Sequence, residues 1–165
     1  MRIRIKRFLE QCLFNNGNFC RIDIPIRVMA VEDFSRARRI NNLWWRMQYA
    51  KLWYQWGKNS IDCSYYPEMI TNQMGRMTNM VHSFDLGVFP KLPLTVGNNY
   101  ALKDGAHRLS CHIYYDTKEI PLEVLEVPYY KPSGIDPQIK HLYSDPEWKL
   151  ILDYKDKLLR KYNLL

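Results

Sequence analysis

The sequence predicts an α+β fold in a single domain, and three observations carry that expectation. With 165 residues and 47% hydrophobic content the chain can build one sizeable core, and no linker, internal repeat or low-complexity tract divides it. Its apolar residues alternate in short stretches and recur at helical spacing in longer ones, in the order strand, helix, helix, strand, turn, helix, strand. Third, in residues 98–115, NNYALKDGAHRLSCHIYY, a short strand runs through Asp104 and Gly105 straight into a helix.

The opening, MRIRIKRFLEQCLF, is basic, but Glu10 and Gln11 interrupt its apolar part and no small-residue cleavage site follows. It therefore reads as a short basic helix or strand at the domain edge rather than a signal peptide. Residues 21–30, RIDIPIRVMA, alternate as a strand does, with Pro25 placing that strand at an edge or near a bulge. Residues 31–34 end it. In residues 35–57, Trp45, Tyr49, Leu52 and Trp56 fall at helical spacing, an aromatic stripe that belongs in a core. After a loop at 57–64, Pro67 begins a second helix with Met69, Ile70, Met74, Met77 and Met80 or Val81 on its apolar face, ending before Phe84. Those methionines suit adaptable packing better than metal ligation.

Residues 86–99 connect this helix to the motif and hold Pro90, Pro93, Gly97 and a short strand at 94–96. The motif strand covers 100–103 and its helix starts at Ala106. A turn at 116–118 leads to a strand at 120–127, whose alternation slips at Leu125 and Glu126; a bulge or a simple strand end fits this best, the alternative being that Glu126 looks into a pocket. Residues 129–136, YYKPSGID, are turn-rich and polar-aromatic, which suits a lid beside a site and an ordinary surface loop equally. Ser144 with Glu147 forms a capping-box pattern for a final helix carrying Trp148, Ile151, Leu152, Leu159 and Tyr162 on one face, which Lys155 interrupts.

The net charge is +7, but the basic residues are spread along the chain, with local clusters at residues 2–7 and at Arg36, Arg38 and Arg39. Nucleic acid, anionic small molecules and membrane surfaces all suit such a distribution, so charge alone selects none of them. No apolar run approaches the roughly 20 residues of a membrane-spanning helix. Cys12, Cys20, Cys63 and Cys111 show neither a CxxC nor a zinc spacing, which points to reduced thiols and a cytoplasmic location. Nor are carboxylates clustered as a two-metal nuclease needs them.

The turn itself combines the parts of a phosphate site. Gly105 permits a tight turn or close backbone approach, and the first free amides of the following helix carry the positive end of its dipole. Asp104, His107 and Arg108 add a carboxylate, a group titrating near neutrality and a cationic fork, which suits an anionic ligand carrying a metal. The same residues also fit an N-cap, an ordinary glycine turn and a solvated helix edge.

The element order, and above all KDGAHRLSCHIYY followed by a short turn and IPLEVLEV, resembles the ParB/sulfiredoxin-like superfamily with its DG-x-HR motif, over residues 23–127 and best over 99–127. The resemblance implies a small mixed sheet flanked by helices, a core at 21–127, a C-terminal helical extension at 136–165, and a turn that holds nucleotide phosphates. Members include nucleotide-dependent small-molecule kinases, sulfiredoxin and CTP-binding DNA-segregation proteins, and similar domains accompany bacterial surface-polysaccharide genes. Sulfiredoxin-type enzymes place a catalytic Cys between the Gly and the His, and segregation proteins usually place Glu there. Here the residue is Ala106, Cys111 lies too far into the helix to substitute, and the chain after Val127 is too short for a helix-turn-helix module.

The kinase-like branch fits best. It implies phosphoryl transfer from ATP or ADP, with Mg²⁺, to a hydroxyl of a small molecule or sugar. By that resemblance Gly105 and the amides of Ala106, His107 and Arg108 hold phosphate, Arg108 neutralises the transferring group and His107 donates to a phosphate oxygen. Asp104 orients the acceptor hydroxyl or helps hold the metal. The catalytic carboxylate belongs after the first strand, where Glu32 ranks ahead of Asp33 and Glu68, though none of them matches a motif. The alternative is a non-catalytic nucleotide-responsive or DNA-binding module.

Overall fold

A computed structural model of the chain describes residues 1–14, 23–37, 66–88, 91–129, 140 and 143–165. Its strands are β1 (Arg2–Arg4), β2 (Leu94–Val96), β3 (Leu102–Asp104) and β4 (Glu119–Val124), arranged β1-β4-β2-β3. β4 runs antiparallel to β1 and parallel to β2, and β2 pairs antiparallel with β3, so the four-stranded sheet is mixed. The helices are α1 (Ile5–Phe14), α2 (Asp23–Ala37), α3 (Tyr66–Asp85), α4 (Ala106–Tyr114) and α5 (Asp145–Lys161). Among the described residues no helix is long and apolar enough to cross a membrane.

Two apolar clusters lie on opposite sides of α2 and α4. Ile24 and Val28 of α2 and Leu109 and Ile113 of α4 close over the sheet residues Ile3, Leu94, Val96, Leu102, Ile120 and Leu122. Ile26, Ala30 and Val31 of α2 and Cys111 of α4 turn instead toward Met77, Val81 and Phe84 of α3 and Trp148 and Ile151 of α5. The two helices thus form a middle layer between the sheet and the outer helices.

That layering corrects the strand expected at residues 21–30. The chain is helical from Asp23, and Ile24 through Val31 are all buried. Residues two apart on a helix lie about 200° apart, so a helix buried on two opposite faces shows the same alternation as a strand. Ile24 and Val28, one turn apart, serve one core; Ile26 and Ala30 serve the other. Pro25 sits in the first turn, where its missing N–H has no intrahelical acceptor to lose. Residues 35–37 continue α2 rather than opening a new helix. The stripe of Trp45, Tyr49, Leu52 and Trp56 lies outside the described residues.

Elsewhere the differences are small. The opening is both strand and helix, and Ile3 of β1 pairs with Ile120 of β4, which ties the start of the chain into the sheet. α3 runs on to Asp85 because Phe84 is buried. β3 starts at Leu102, since Tyr100 takes a left-handed φ of 59° and donates its N–H to the Gly97 carbonyl at 2.9 Å, closing a turn where strand was expected. β4 ends at Val124, before its alternation slips, and Glu126 is exposed. At α5 the capping box is formed: Ser144 Oγ accepts from the Glu147 N–H at 3.4 Å, and Glu147 Oε2 accepts from the Ser144 N–H at 2.8 Å.

Candidate functional site

The turn between β3 and α4 is built around Gly105, which caps α4 with φ 101° and ψ 22°, a left-handed conformation that favours glycine. A Cβ there would fall 2.6 Å from Leu94 Cδ2 and 3.1 Å from Arg108 Nη2, so a side chain is excluded by space as well as by φ. Because the N-cap is glycine, no side chain caps the helix. Leu109 is the first amide bonded within the turn, to the Gly105 carbonyl at 2.8 Å. Helix geometry leaves the N–H groups of Ala106, His107 and Arg108 without intrahelical acceptors. These are the amides to which the resemblance gives a phosphate.

Arg108 reaches back over the turn. Its Nη2 donates to Asp104 Oδ2 and to the Pro93 carbonyl, each at 3.1 Å, while its Nε is buried without a partner. The guanidinium is largely covered, with 15% of the side chain exposed, against 73% for Asp104. An ion pair with one member this exposed contributes little net attraction, so a multiply charged phosphate can displace the carboxylate. The turn therefore holds a positioned cation, anchored through Nη2, and a carboxylate that can be released.

His107 faces Arg27, a residue that the sequence reading passes over. Arg27 lies on α2 at 2% exposure, and its Nη1 donates to His107 Nε2 at 2.9 Å. A guanidinium only donates, so Nε2 must accept and the imidazole proton sits on Nδ1. One signal pointed to Arg27 from the start: a lone arginine inside IPIRVMAV cannot be buried without a polar partner.

Asp104, Gly105, Ala106, His107 and Arg108 are brought together, with Arg27 added. Glu32 is placed otherwise. It stands five residues beyond Arg27 on α2, about 140° further round the helix, and its Oε2 accepts from Tyr154 Oη of α5 at 3.1 Å. The side chains of Asp33 and Glu68 lie outside the described residues, as do residues 130–136 of the expected lid. Tyr129, at the lid's start, is held by Asn99: its N–H donates to Asn99 Oδ1 at 3.1 Å and its carbonyl accepts from Asn99 Nδ2 at 3.0 Å.

For a metal, Asp104 is the one carboxylate in the turn, and among the described residues no group of three or more His, Cys, Asp and Glu could hold an ion. That donor set suits Mg²⁺ arriving on phosphates, which needs only one or two protein carboxylates. It does not suit a metal held by protein alone. No protein-family model, curated protein or solved structure matches the chain, so the DG-x-HR residues themselves carry the resemblance.

Proposed function

We propose that the chain binds a nucleotide polyphosphate over the 104–108 turn and transfers a phosphoryl group from it to a hydroxyl of a small molecule or sugar. The observation that supports this most is the start of α4, where Gly105 in a left-handed conformation provides no side-chain cap and the Arg108 guanidinium reaches back over the turn to Asp104. In this reading the amides of Ala106, His107 and Arg108 hold the terminal phosphate and the His107 Nδ1–H donates to one of its oxygens. Arg108 exchanges Asp104 for the phosphate and offsets charge in a transition state that is mostly a matter of positioning and electrostatics. The acceptor oxygen bonds to the terminal phosphorus as the bridging P–O bond breaks. Its proton passes to the freed Asp104 carboxylate. When bound, Mg²⁺ would neutralise phosphate charge and would be held by the phosphates and one oxygen of Asp104.

A second reading is favoured by one observation: both candidate carboxylates are already hydrogen-bonded, Asp104 to Arg108 and Glu32 to Tyr154. A nucleotide-responsive or DNA-binding module without turnover needs no free base. Product release from ATP with Mg²⁺, measured on the purified chain with hydroxyl-bearing acceptors, separates the two. The kinase reading expects turnover to fall in Asp104→Ala while nucleotide still binds, and both to fall in Arg108→Ala. Full turnover in both variants would refute it. Nucleotide binding without turnover, or DNA affinity that drops steeply with salt, would select the second reading.

A further inference from the structure

A cavity of about 950 Å³ opens at the other end of α4. α4 has nine residues and so spans about 13 Å, with the 104–108 turn at its start and the cavity bordered by residues that follow its last turn. Five cationic side chains line it: Arg2 and Arg4 from β1, Lys6 from α1, Lys91 ahead of β2 and Lys118 between α4 and β4. Arg2 and Arg4 flank buried Ile3 in β1, so strand alternation places them together on the sheet face away from the core. Their β4 partners in register, Pro121 and Glu119, also line the cavity.

The charge there is not balanced internally. Two carboxylates, Asp116 and Glu119, border the cavity, and Asp116 Oδ1 is taken by Lys161 Nζ at 2.7 Å. That leaves five cations against Glu119, an excess of four. None of the five forms an ion pair among the described residues, and Arg4 makes none even with Glu119 directly opposite it. The negative end of α4 is covered as well. The Ile113 carbonyl accepts from Lys161 Nζ at 3.1 Å and from Tyr162 Oη at 3.3 Å. A concave, low-dielectric surface lined by one sign of charge focuses its field on an opposite charge.

We propose that this cavity is a second anion site that takes a small ligand carrying two or more linked phosphate groups. Its volume lies in the range of small-molecule sites, roughly 300–1,000 Å³. Its cations converge from separate segments on one hollow rather than following a stripe as a polymer track does. The site is independent of the kinase reading, because it shares no residue with the 104–108 turn.

Calorimetry with inorganic tripolyphosphate at low salt tests this in an Arg108→Ala background, which removes the guanidinium of the turn. The expected result is saturable one-to-one binding that weakens about tenfold or more when Arg4→Gln and Lys118→Gln are added, and that vanishes with Arg4→Glu and Lys118→Glu. Unchanged thermal midpoints, expected for exposed side chains, exclude misfolding as the cause. No binding in the Arg108→Ala protein, or binding indifferent to the Gln pair, would overturn the proposal. Short duplex DNA and phosphatidylglycerol vesicles, titrated alongside, distinguish the sources of phosphate. Clear preference for either over tripolyphosphate would overturn the assignment to a small ligand.

Discussion

At Gly105 the backbone and its surroundings agree on one residue. Gly105→Ala would force an L side chain to φ 101° with its Cβ 2.6 Å from Leu94 Cδ2, and Leu94 is fully buried. The expected cost is about 1–3 kcal/mol, read as a lower urea midpoint. Arg27 acts on the chemistry of its neighbour. In the wild type, long-range ¹⁵N–¹H spectra should show the Nδ1–H tautomer of His107, and Arg27→Met should release that preference, since the Arg27 donor to Nε2 is then gone. An unchanged tautomer would mean that the guanidinium does not set the protonation of His107.

His112, one turn beyond Arg108, makes the fold sensitive to acid. Burial first, and the Arg108 charge second, lower its pKa from 6.5 to about 4. Its Nε2 is buried without a partner, while Nδ1 meets Thr117 Oγ1 at 2.8 Å. In the unfolded chain the ring regains its ordinary pKa, so between pH 6.5 and 4 the unfolded state binds a proton that the folded state refuses. This contribution to stability is complete above pH 6.5 and is lost as pH falls toward 4, the loss reaching roughly 2 kcal/mol by pH 5. Urea titrations at pH 7.5 and pH 5 should show that His112→Gln loses much less stability on acidification than the wild type.

Among the elements, α5 is the one whose start is written most plainly in sequence. Ser144→Ala removes the acceptor for the Glu147 N–H and should cost about 1 kcal/mol in a thermal melt. β2, α4 and α5 were legible because each has a local signal: proline and glycine punctuation around 94–96, a glycine before Ala106, a capping box at Ser144. α2 was not. Its alternation of Ile24, Ile26 and Val28 is produced by two cores on opposite sides, and that is a property of the whole fold. Reading a strand there also hid Arg27, because a strand model gives no reason to bring residue 27 beside residue 107. The DG-x-HR residues were legible as a cluster, since four of the five lie in one helical turn and its cap. Glu32 ranks first only through its place after the expected first strand, and its observed partner on α5 depends on packing that sequence spacing does not encode.

For the whole molecule, the placement of α2 and α4 between two cores explains why the turn can be rigid. Leu109 and Ile113 anchor α4 to the sheet, and Cys111 anchors it to the outer helices. Burial raises the Cys111 thiol to about 12, so it stays protonated and inert at neutral pH. Both ends of this clamped helix face groups suited to anions, the uncapped amides at its start and the cationic cavity beyond its end. Under our proposal the first of these binds nucleotide phosphate. Calorimetric titration of ATP with Mg²⁺ into protein carrying Arg4→Glu and Lys118→Glu, so that the second cavity takes no part, isolates the turn. Saturable one-to-one binding is expected, weakening about tenfold or more on adding Arg108→Ala. Absence of binding, or binding that Arg108→Ala leaves unchanged, would contradict it.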